Sequence, residues 1–282
     1  MAQTDLMVAL ITDVFPDLDS HGRFLDTLRR AGSAGADLAV LPELPLNPWS
    51  PATKIAREED AEEVDGLRQR LFSSAAREVG IAVLGGAIIL DPDTGVRHNT
   101  ALLYDKNGSC LARYRKVHLP AEEGYWETSH YKPGADPPAV VRGLSMPVGL
   151  QVCSDVNRTT GFQLLGAMGA ELVLAPRCTP PESYERWKLI LRANAVTSGT
   201  YVISTNRPGP EAGVPIGGAS LAIDPSGEVL AESSEAMTLV ALDRATVKVA
   251  REGYPGYLEV FPELYAEGWR RVKEDRGGAG DR

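Results

Sequence analysis

The sequence is poor in cysteine and in positive charge. It has three cysteines among 282 residues, too few and odd in number for a disulfide framework, so a reducing cytoplasm is the expected location. Lysine and arginine total 29 against 38 aspartates and glutamates, which gives a formal net charge of −9. Nucleic acids and anionic membranes require a concentrated basic surface, so this balance argues against both as main partners.

Long hydrophobic runs and metal-binding patterns are also missing. No apolar stretch reaches the ~20 residues that cross a bilayer, and Met1–Asp5 does not begin a signal peptide. The four histidines show no spacing typical of a zinc site. The glycine pairs Gly85-Gly86 and Gly217-Gly218 are too short for a phosphate-binding loop and are expected to let backbones pack closely.

Apolar segments of strand length alternate with segments of helical period along the whole chain. Strands are predicted over Leu6–Thr12, Asp37–Leu41, Ile81–Leu90, Thr100–Asp105, Cys110–His118, Val148–Cys153, Glu171–Ala175, Tyr201–Thr205, Ala219–Ile223 and Thr238–Leu242. Helices are predicted over Ser20–Ser33, Glu58–Val79, Gly161–Gly169 and Tyr184–Ser198. No repeat or linker interrupts this order, so we expect one α/β domain over residues 1–273 and a disordered tail over 274–282.

Cys153 ends an apolar run and is followed at once by a polar turn. Most free cysteines in strands are structural, but a thiol at a strand end lies where a sheet edge opens into a cleft. The dipole of a helix beginning near Gly161 could lower the pKa of such a thiol. Cys178 also ends a predicted strand and is the rival candidate for a nucleophile, whereas Cys110 follows an Asn-Gly turn and could face solvent.

Two charged residues have settings that suit catalysis. Glu43 lies among leucines and prolines, and an apolar setting favours the protonated form of a carboxyl group, which suits proton transfer; a buried structural acid is the alternative. Lys116 lies on a predicted strand whose alternation turns one of two basic rows inward. A lysine can stabilise an oxyanion, so thiol, carboxylate and lysine together provide the groups for covalent attack on an amide or nitrile carbon.

In order and spacing, these residues resemble the nitrilase superfamily of carbon–nitrogen hydrolases. The matching motifs are Pro42-Glu43, Lys116-Val117-His118-Leu119 and Cys153-Ser154-Asp155, and the similarity runs from Leu6 to about Tyr265. Glu127, which precedes Pro133-Gly134, matches a second acidic residue that lies beside the family's lysine. Further similar segments are Gly169–Pro176, Arg192-Ala193-Asn194, Gly217–Ser220 and Asp224–Val229.

The resemblance implies a four-layer α–β–β–α sandwich, usually paired with a second subunit, so a homodimer or higher homo-oligomer is expected. It implies that Glu43 takes the proton of Cys153, that Lys116 stabilises the negative charge and that Glu127 orients Lys116 and the substrate, with no metal or organic cofactor. A small linear amide or N-carbamoyl amine is the expected substrate. A nitrile is the alternative substrate, and a non-catalytic scaffold is the alternative of another class.

The segment after Cys153-Ser154-Asp155 departs from the family pattern. Many members continue with a Phe-Pro-Glu-like triplet, which this chain lacks, so the wall beside the nucleophile differs. Members that bind N-carbamoyl amino acids have two arginines where this chain has Val156 and Asn157; Arg158 is a candidate carboxylate clamp, with a surface arginine as the alternative. The candidate substrate-binding residues are Tyr125, Trp126, Asn157, Arg158, Arg177 and Cys178.

Overall fold

The apolar segments form strands and helices in the computed structural model, which describes residues 4–277. The strands are β1 (Leu6–Ile11), β2 (Leu38–Val40), β3 (Ala61–Glu62), β4 (Ala82–Leu90), β5 (Arg97–Tyr104), β6 (Cys110–Arg115), β7 (Val140–Val141), β8 (Val148–Leu150), β9 (Leu172–Leu174), β10 (Tyr201–Ser204), β11 (Ser220–Ile223), β12 (Val229–Ser233) and β13 (Met237–Leu242). The helices are α1 (His21–Ser33), α2 (Leu67–Val79), α3 (Thr160–Ala167), α4 (Tyr184–Ser198), α5 (Arg244–Glu252) and α6 (Pro262–Gly277).

These strands build two sheets. One has the order β13-β1-β2-β4-β5-β6, with β3 paired to β4, and the other has the order β12-β11-β10-β9-β8-β7. Strands β1, β2 and β4 run parallel, as do β8, β9 and β10. Parallel strands end at the same edge of a sheet. The residues that follow β2 therefore lie at one edge of the first sheet, and the residues that follow β8 and β9 lie together at one edge of the second sheet.

Successive side chains of a strand point to opposite faces of its sheet, so the core consists of separate layers. Val8, Leu10 and Val40 of the first sheet share one buried cluster with Leu150 and Leu172 of the second. The opposite face of the first sheet packs on α1 and α2, through residues such as Phe24, Leu28 and Phe72. Helices α3 and α4 pack on the second sheet, through residues such as Phe162, Leu165 and Leu191. The predicted α–β–β–α sandwich is therefore confirmed.

The predicted boundaries differ from the observed ones at several elements. The helix predicted over Glu58–Val79 begins at Leu67, because Ala61–Glu62 pairs with β4 and Asp65 has a left-handed φ of 61°. The strand predicted to reach Cys153 ends at Leu150. The short strands β3 and β7, the half-exposed β12 and the helices α5 and α6 are not among the predicted elements, since most of their side chains are exposed or only partly buried.

The C-terminal segment packs little on the sandwich, since most of its residues from Tyr254 onward are exposed. Residues 274–277 of the predicted tail belong to α6, and residues 278–282 lie outside the described part of the chain. Between residues 4 and 277, no helix combines the length and the apolar character that crossing a bilayer requires.

Candidate active site

Glu43 lies in the turn after β2, with only 2% of its surface exposed. Its Oε1 atom accepts hydrogen bonds from Asn99 Nδ2 at 2.8 Å and from Lys116 Nζ at 2.7 Å. Its Oε2 atom is buried and has no hydrogen-bond partner in the part of the chain described by the structure. The next residue, Leu44, has a φ of 49°, a strained value that a leucine adopts only where its surroundings enforce it. Glu43 thus offers one free acceptor oxygen from a rigid turn.

Lys116 directly follows β6 and belongs to the inward-facing row of that strand. Its backbone N–H donates to Asn99 O at 2.9 Å, which fixes the direction of the side chain. The Nζ atom donates to Glu43 Oε1 at 2.7 Å and to Glu127 Oε1 at 2.6 Å, with no side-chain exposure. Burial lowers the pKa of Lys116, but Glu127 and Glu43 outweigh it and hold that pKa well above the ordinary value. The site therefore keeps a fixed positive charge.

Glu127 opens a short 3-10 turn over Glu127–Ser129 and is fully buried. Burial raises the pKa of its carboxyl group to about 8, against the opposing effect of the Lys116 ammonium. The charge on Glu43 contributes to this rise in pKa, because a single ammonium cannot fully neutralise two buried carboxylates. The raised pKa favours the protonated form of Glu127, whose Oε2 atom has no partner within residues 4–277.

Cys153 begins a 3-10 helix over Cys153–Asn157, three residues after β8 ends. Its φ of 46° is left-handed, and its N–H donates to Pro176 O at 2.9 Å. Burial raises the pKa of its thiol well above the ordinary value; Glu43 adds to the effect, and Lys116 opposes it. The expectation that a helix dipole lowers this pKa was wrong, because α3 begins seven residues later and the thiol is buried beside carboxylates. A protonated thiol needs a base before it can attack.

Asp155 joins the 3-10 helix that begins at Cys153 to the segment that follows Lys116. Its buried carboxylate accepts hydrogen bonds from the Tyr114 hydroxyl at 3.0 Å, from His118 N and Nδ1 at 2.8 Å each, and from Val117 N and Val152 N at 3.2 Å each. Sequence reasoning quoted Asp155 as part of a motif but gave it no role, and it missed Asn99. The position of Asp155 two residues after Cys153 was the available signal for that residue, whereas Asn99 stands in the polar first half of β5 and its burial is visible only in the structure.

A pocket of ≈ 390 Å³ opens over Cys153. Of the predicted substrate-binding residues, Tyr125, Asn157 and Cys178 line it. The other lining residues are Pro120, Glu122, Ser154, Thr179, Pro180, Ser183, Arg186 and Trp187, and sequence reasoning singled out none of these. Among residues 4–277, no group of three or more histidine, cysteine, aspartate or glutamate side chains is arranged to hold a metal ion.

Three predicted substrate-binding residues lie outside the pocket lining. Trp126 packs against Lys54, whose Nζ lies 3.9 Å from the ring centroid. Arg158 is exposed to solvent. Arg177 is fully buried, where burial lowers its pKa to about 10. Its guanidinium donates to Ser204 Oγ, Thr179 Oγ1 and a backbone carbonyl. The structure therefore gives Arg177 a role in holding strand ends together through three of its five N–H groups.

The sandwich fold and the relatives of the chain identify it as an amidase of the nitrilase superfamily. The chain belongs to the carbon-nitrogen hydrolase family, which matches residues 15–252. It is similar to an omega-amidase from Homo sapiens, with 28% identity over 260 residues that cover 88% of this chain and 91% of the relative. It is also similar to a 2-oxoglutaramate amidase from Bacillus subtilis (strain 168), with 26% identity over 267 residues, 87% of this chain and 95% of the relative.

One solved structure shows the same fold with a modified cysteine. It is a variant of the amidase from Nesterenkonia sp. AN1, in which the acetamide moiety of fluoroacetamide is covalently attached to the active-site cysteine. Its TM-score is 0.77 at 28% identity, and the match covers 95% of this chain and 98% of that chain.

Proposed function

We propose that this protein hydrolyses small linear amides through a thioester on Cys153. The observation that supports this function most directly is the pairing of Lys116 Nζ with both Glu43 and Glu127, at 2.7 and 2.6 Å, in a cluster that also sets the pKa of the Cys153 thiol. A base, a fixed cation and a thiol in one buried cluster are the groups that acyl transfer requires.

In the proposed acylation step, Glu43 removes the proton from the Cys153 thiol. The sulfur attacks the amide carbon, and the carbonyl oxygen becomes an oxyanion beside the Lys116 ammonium. A backbone N–H after the nucleophile turn is a second candidate donor to this oxyanion. The C–N bond then breaks, the nitrogen takes the proton held by Glu43, and ammonia leaves. The product is an acyl thioester on Cys153 with Glu43 ionised again.

Deacylation reverses the same proton path with water as the nucleophile. Glu43 takes a proton from water, and the hydroxide attacks the thioester carbon. The C–S bond breaks, the sulfur receives the proton from Glu43, and the carboxylic acid product leaves. Glu127 remains protonated and orients Lys116, since a second full negative charge in the buried cluster would weaken the positive field at the oxyanion.

The relatives favour an amide as the substrate. The two relatives described above carry amidase names, which supports a carboxamide ahead of an N-carbamoyl amine. Val156 and Asn157 stand where carbamoyl-binding members have arginines, which points the same way. A nitrile would use the same Cys153, Glu43 and Lys116 and therefore stays as the other candidate for the test.

Trapping the covalent intermediate tests this function. Wild-type protein incubated with butyramide and quenched with acid during its first turnovers should carry an acyl group on Cys153 with loss of ammonia. Glu43→Gln, which can neither deprotonate the thiol nor protonate the leaving nitrogen, should carry none. Peptide mass spectrometry locates the adduct. A nitrile would instead add its whole mass as a thioimidate, and an N-carbamoyl amine would lose its own amine or ammonia. Cys110 and Cys178 serve as internal controls, and equal modification of all three thiols, or of none, would contradict the proposal.

We further propose that the protein assembles as a homodimer through its C-terminal segment. The residues from Tyr254 to Trp269 expose large apolar side chains, including Tyr254 at 78%, Leu264 at 66% and Trp269 at 61%. Large exposed apolar patches are uncommon on a soluble monomer, so this concentration of exposed apolar side chains in one segment favours an interface. A second copy of the chain is the proposed partner, in line with the paired subunits that the family resemblance implies.

The solution mass tests this assembly. The wild-type protein should have twice the mass of one chain by light scattering, and a Leu264→Asp, Trp269→Asp double variant should shift most of the protein to the mass of one chain. Ile55→Asp is the matched control, because Ile55 is 74% exposed and lies far from α6 in sequence. An unchanged mass in the double variant would remove this surface from the interface.

A further inference from the structure

Three consecutive polar residues follow β10 without any exposed surface. The strand ends at Ser204, and Thr205, Asn206 and Arg207 come directly after it, all fully buried. Burying a polar group is costly unless it forms hydrogen bonds. The hydrogen-bond partners of these three side chains therefore show which parts of the molecule they hold together.

The guanidinium of Arg207 reaches from the second sheet to the turn after β2 in the first sheet, residues 43–47, which we call the Glu43 turn. Its Nη1 atom donates to Glu43 O at 2.9 Å and to Leu44 O at 2.8 Å. Its Nη2 atom donates to Asn47 O at 3.1 Å and to Glu211 Oε2 at 2.5 Å, and its Nε atom donates to the same Oε2 at 3.1 Å. These contacts engage all five N–H groups of an arginine side chain.

The charge of Arg207 is compensated within the same group of residues. Glu211 supplies the carboxylate, and its Oε1 atom accepts a hydrogen bond from Trp49 N at 2.6 Å. The guanidinium carbon lies 5.7 Å from the centroid of the Trp49 ring, within the range of a cation–π contact. Removing one partner of a buried charge is costly, because the other partner is left unpaired in the interior. These contacts therefore hold the loop after β10 firmly against the Glu43 turn.

The backbone of the Glu43 turn needs this support. Leu44 has a φ of 49°, and a strained backbone persists only where surrounding contacts enforce it. The carbonyl groups on either side of the Leu44 Cα atom both accept from Arg207 Nη1. Thr205 holds the residue that precedes the turn by two positions, since its hydroxyl donates to Leu41 O at 2.8 Å. Two side chains that follow β10 thus fix the backbone that carries Glu43.

We propose that Arg207, supported by Thr205, is a positioning residue for the base Glu43. The inference rests on the proposed amidase function and specifies how the fold holds the base of that reaction. Asn99 and Lys116 hold the Glu43 side chain through one oxygen, Oε1, so the direction of Oε2 also depends on the backbone. Arg207 is not among the residues that line the pocket, and it acts on a bound substrate only through Glu43.

Two substrates with the same acyl group test this role. In the proposed reaction Glu43 deprotonates the thiol and protonates the leaving nitrogen of butyramide, whereas p-nitrophenyl butyrate releases p-nitrophenolate, which leaves without a proton. Arg207→Lys keeps the charge but provides three N–H groups in place of five. It should lower kcat/KM for butyramide by about 10²-fold and the ratio of the amide value to the ester value by about tenfold. KM for butyramide should stay within about threefold of the wild-type value. A loss of packing alone would lower both kcat/KM values equally.

Arg251→Lys is the matched control. The guanidinium of Arg251 also donates to two backbone carbonyls, those of Gly199 and Ala170. These residues precede β10 and β9, so they lie at the edge of the second sheet opposite the one that carries Cys153. Because distant sites act independently, this variant should leave the ratio and both kcat/KM values within about twofold of the wild type.

Thr205→Val tests the same role without disturbing a buried charge. It removes the hydroxyl that donates to Leu41 O and should lower the ratio by about threefold, the effect of one hydrogen bond. Thr200→Val removes an equally buried hydroxyl just before β10 and should leave the ratio unchanged. If Arg207→Lys folds, as judged by circular dichroism, an unchanged ratio overturns the proposal; if it does not fold, an unchanged ratio in Thr205→Val overturns it. In either case, an active wild-type enzyme would limit the failure to the positioning role. A wild-type protein that releases no ammonia from butyramide would refute the amidase function and this role with it.

Discussion

A Cys153→Ala variant is expected to lose about 10⁴- to 10⁶-fold in kcat for the preferred amide while keeping its fold. Without the sulfur no thioester forms, and the remaining groups can only bind the amide and polarise its carbonyl. The substitution removes one buried atom and keeps the Cβ at the same strained φ, so we expect a loss of about 1 kcal/mol or less in the free energy of unfolding. Ammonia release under saturating substrate and urea unfolding followed by circular dichroism measure the two effects.

Cys178→Ala is the matched control for that result. Cys178 is also buried, also lines the pocket and also has a thiol whose pKa is raised by burial. Its backbone oxygen lies 3.7 Å from the Cys153 sulfur, so the two residues share one environment. We expect Cys178→Ala to retain activity within about tenfold, an effect of one pocket contact. Retained turnover in Cys153→Ala, or an equal loss in Cys178→Ala, would show that the nucleophile is misassigned.

The sequence predicted the central strands because their residues are apolar on both faces. β1, β2, β8, β9 and β10 are buried between the other sheet and a helix layer, and this leaves an unbroken hydrophobic signal. The start of α2 was mispredicted, because the segment 58–66 is rich in helix-forming glutamates but its backbone follows the edge of β4. α6 had no such signal, because its large apolar side chains are exposed and do not pack on either sheet.

The proposed reacting groups were predictable for a different reason from the pocket wall. Lys116 directly follows β6, and Glu43 and Cys153 each lie three residues after a strand ends, so local sequence specifies both the residue and its place at a sheet edge. Arg186 reaches the pocket from the start of a helix 33 positions after Cys153, and only the packing of α4 on the second sheet brings it there. Arg177 was predicted to bind the substrate because of its charge, but its guanidinium forms buried hydrogen bonds to β10 and to the loop before β11.

A Lys116→Met variant is expected to lose at least about 10²- to 10³-fold in kcat, the size of one oxyanion-stabilising group, and about 3–5 kcal/mol in the free energy of unfolding. The methionine fills a similar volume, but Glu43 and Glu127 are left as buried carboxyl groups without their cation. Lys116 holds the pKa of Glu127 down to about 8 against burial, so its removal raises that pKa further. Initial rates and urea unfolding at several pH values measure these effects.

The pH dependence of stability separates the lost charge from lost packing in this variant. A carboxyl group whose pKa is raised by folding stabilises the protein fully below its ordinary value of 4.5, and this stabilisation is lost as the pH rises through the folded value, about 8 in the wild type. In Lys116→Met the loss continues above pH 8, so the stability gap to the wild type should widen there.

Adding Glu127→Gln to Lys116→Met removes the titrating group. The double variant should regain part of the stability and lose the widening of the gap above pH 8, without regaining turnover. Lys188→Met, at a partly exposed ion pair with Glu232, should change stability by less than about 1 kcal/mol. If the double variant regained activity, Lys116 would be a structural residue, because a catalytic cation cannot be replaced by relieving the charge of its neighbour.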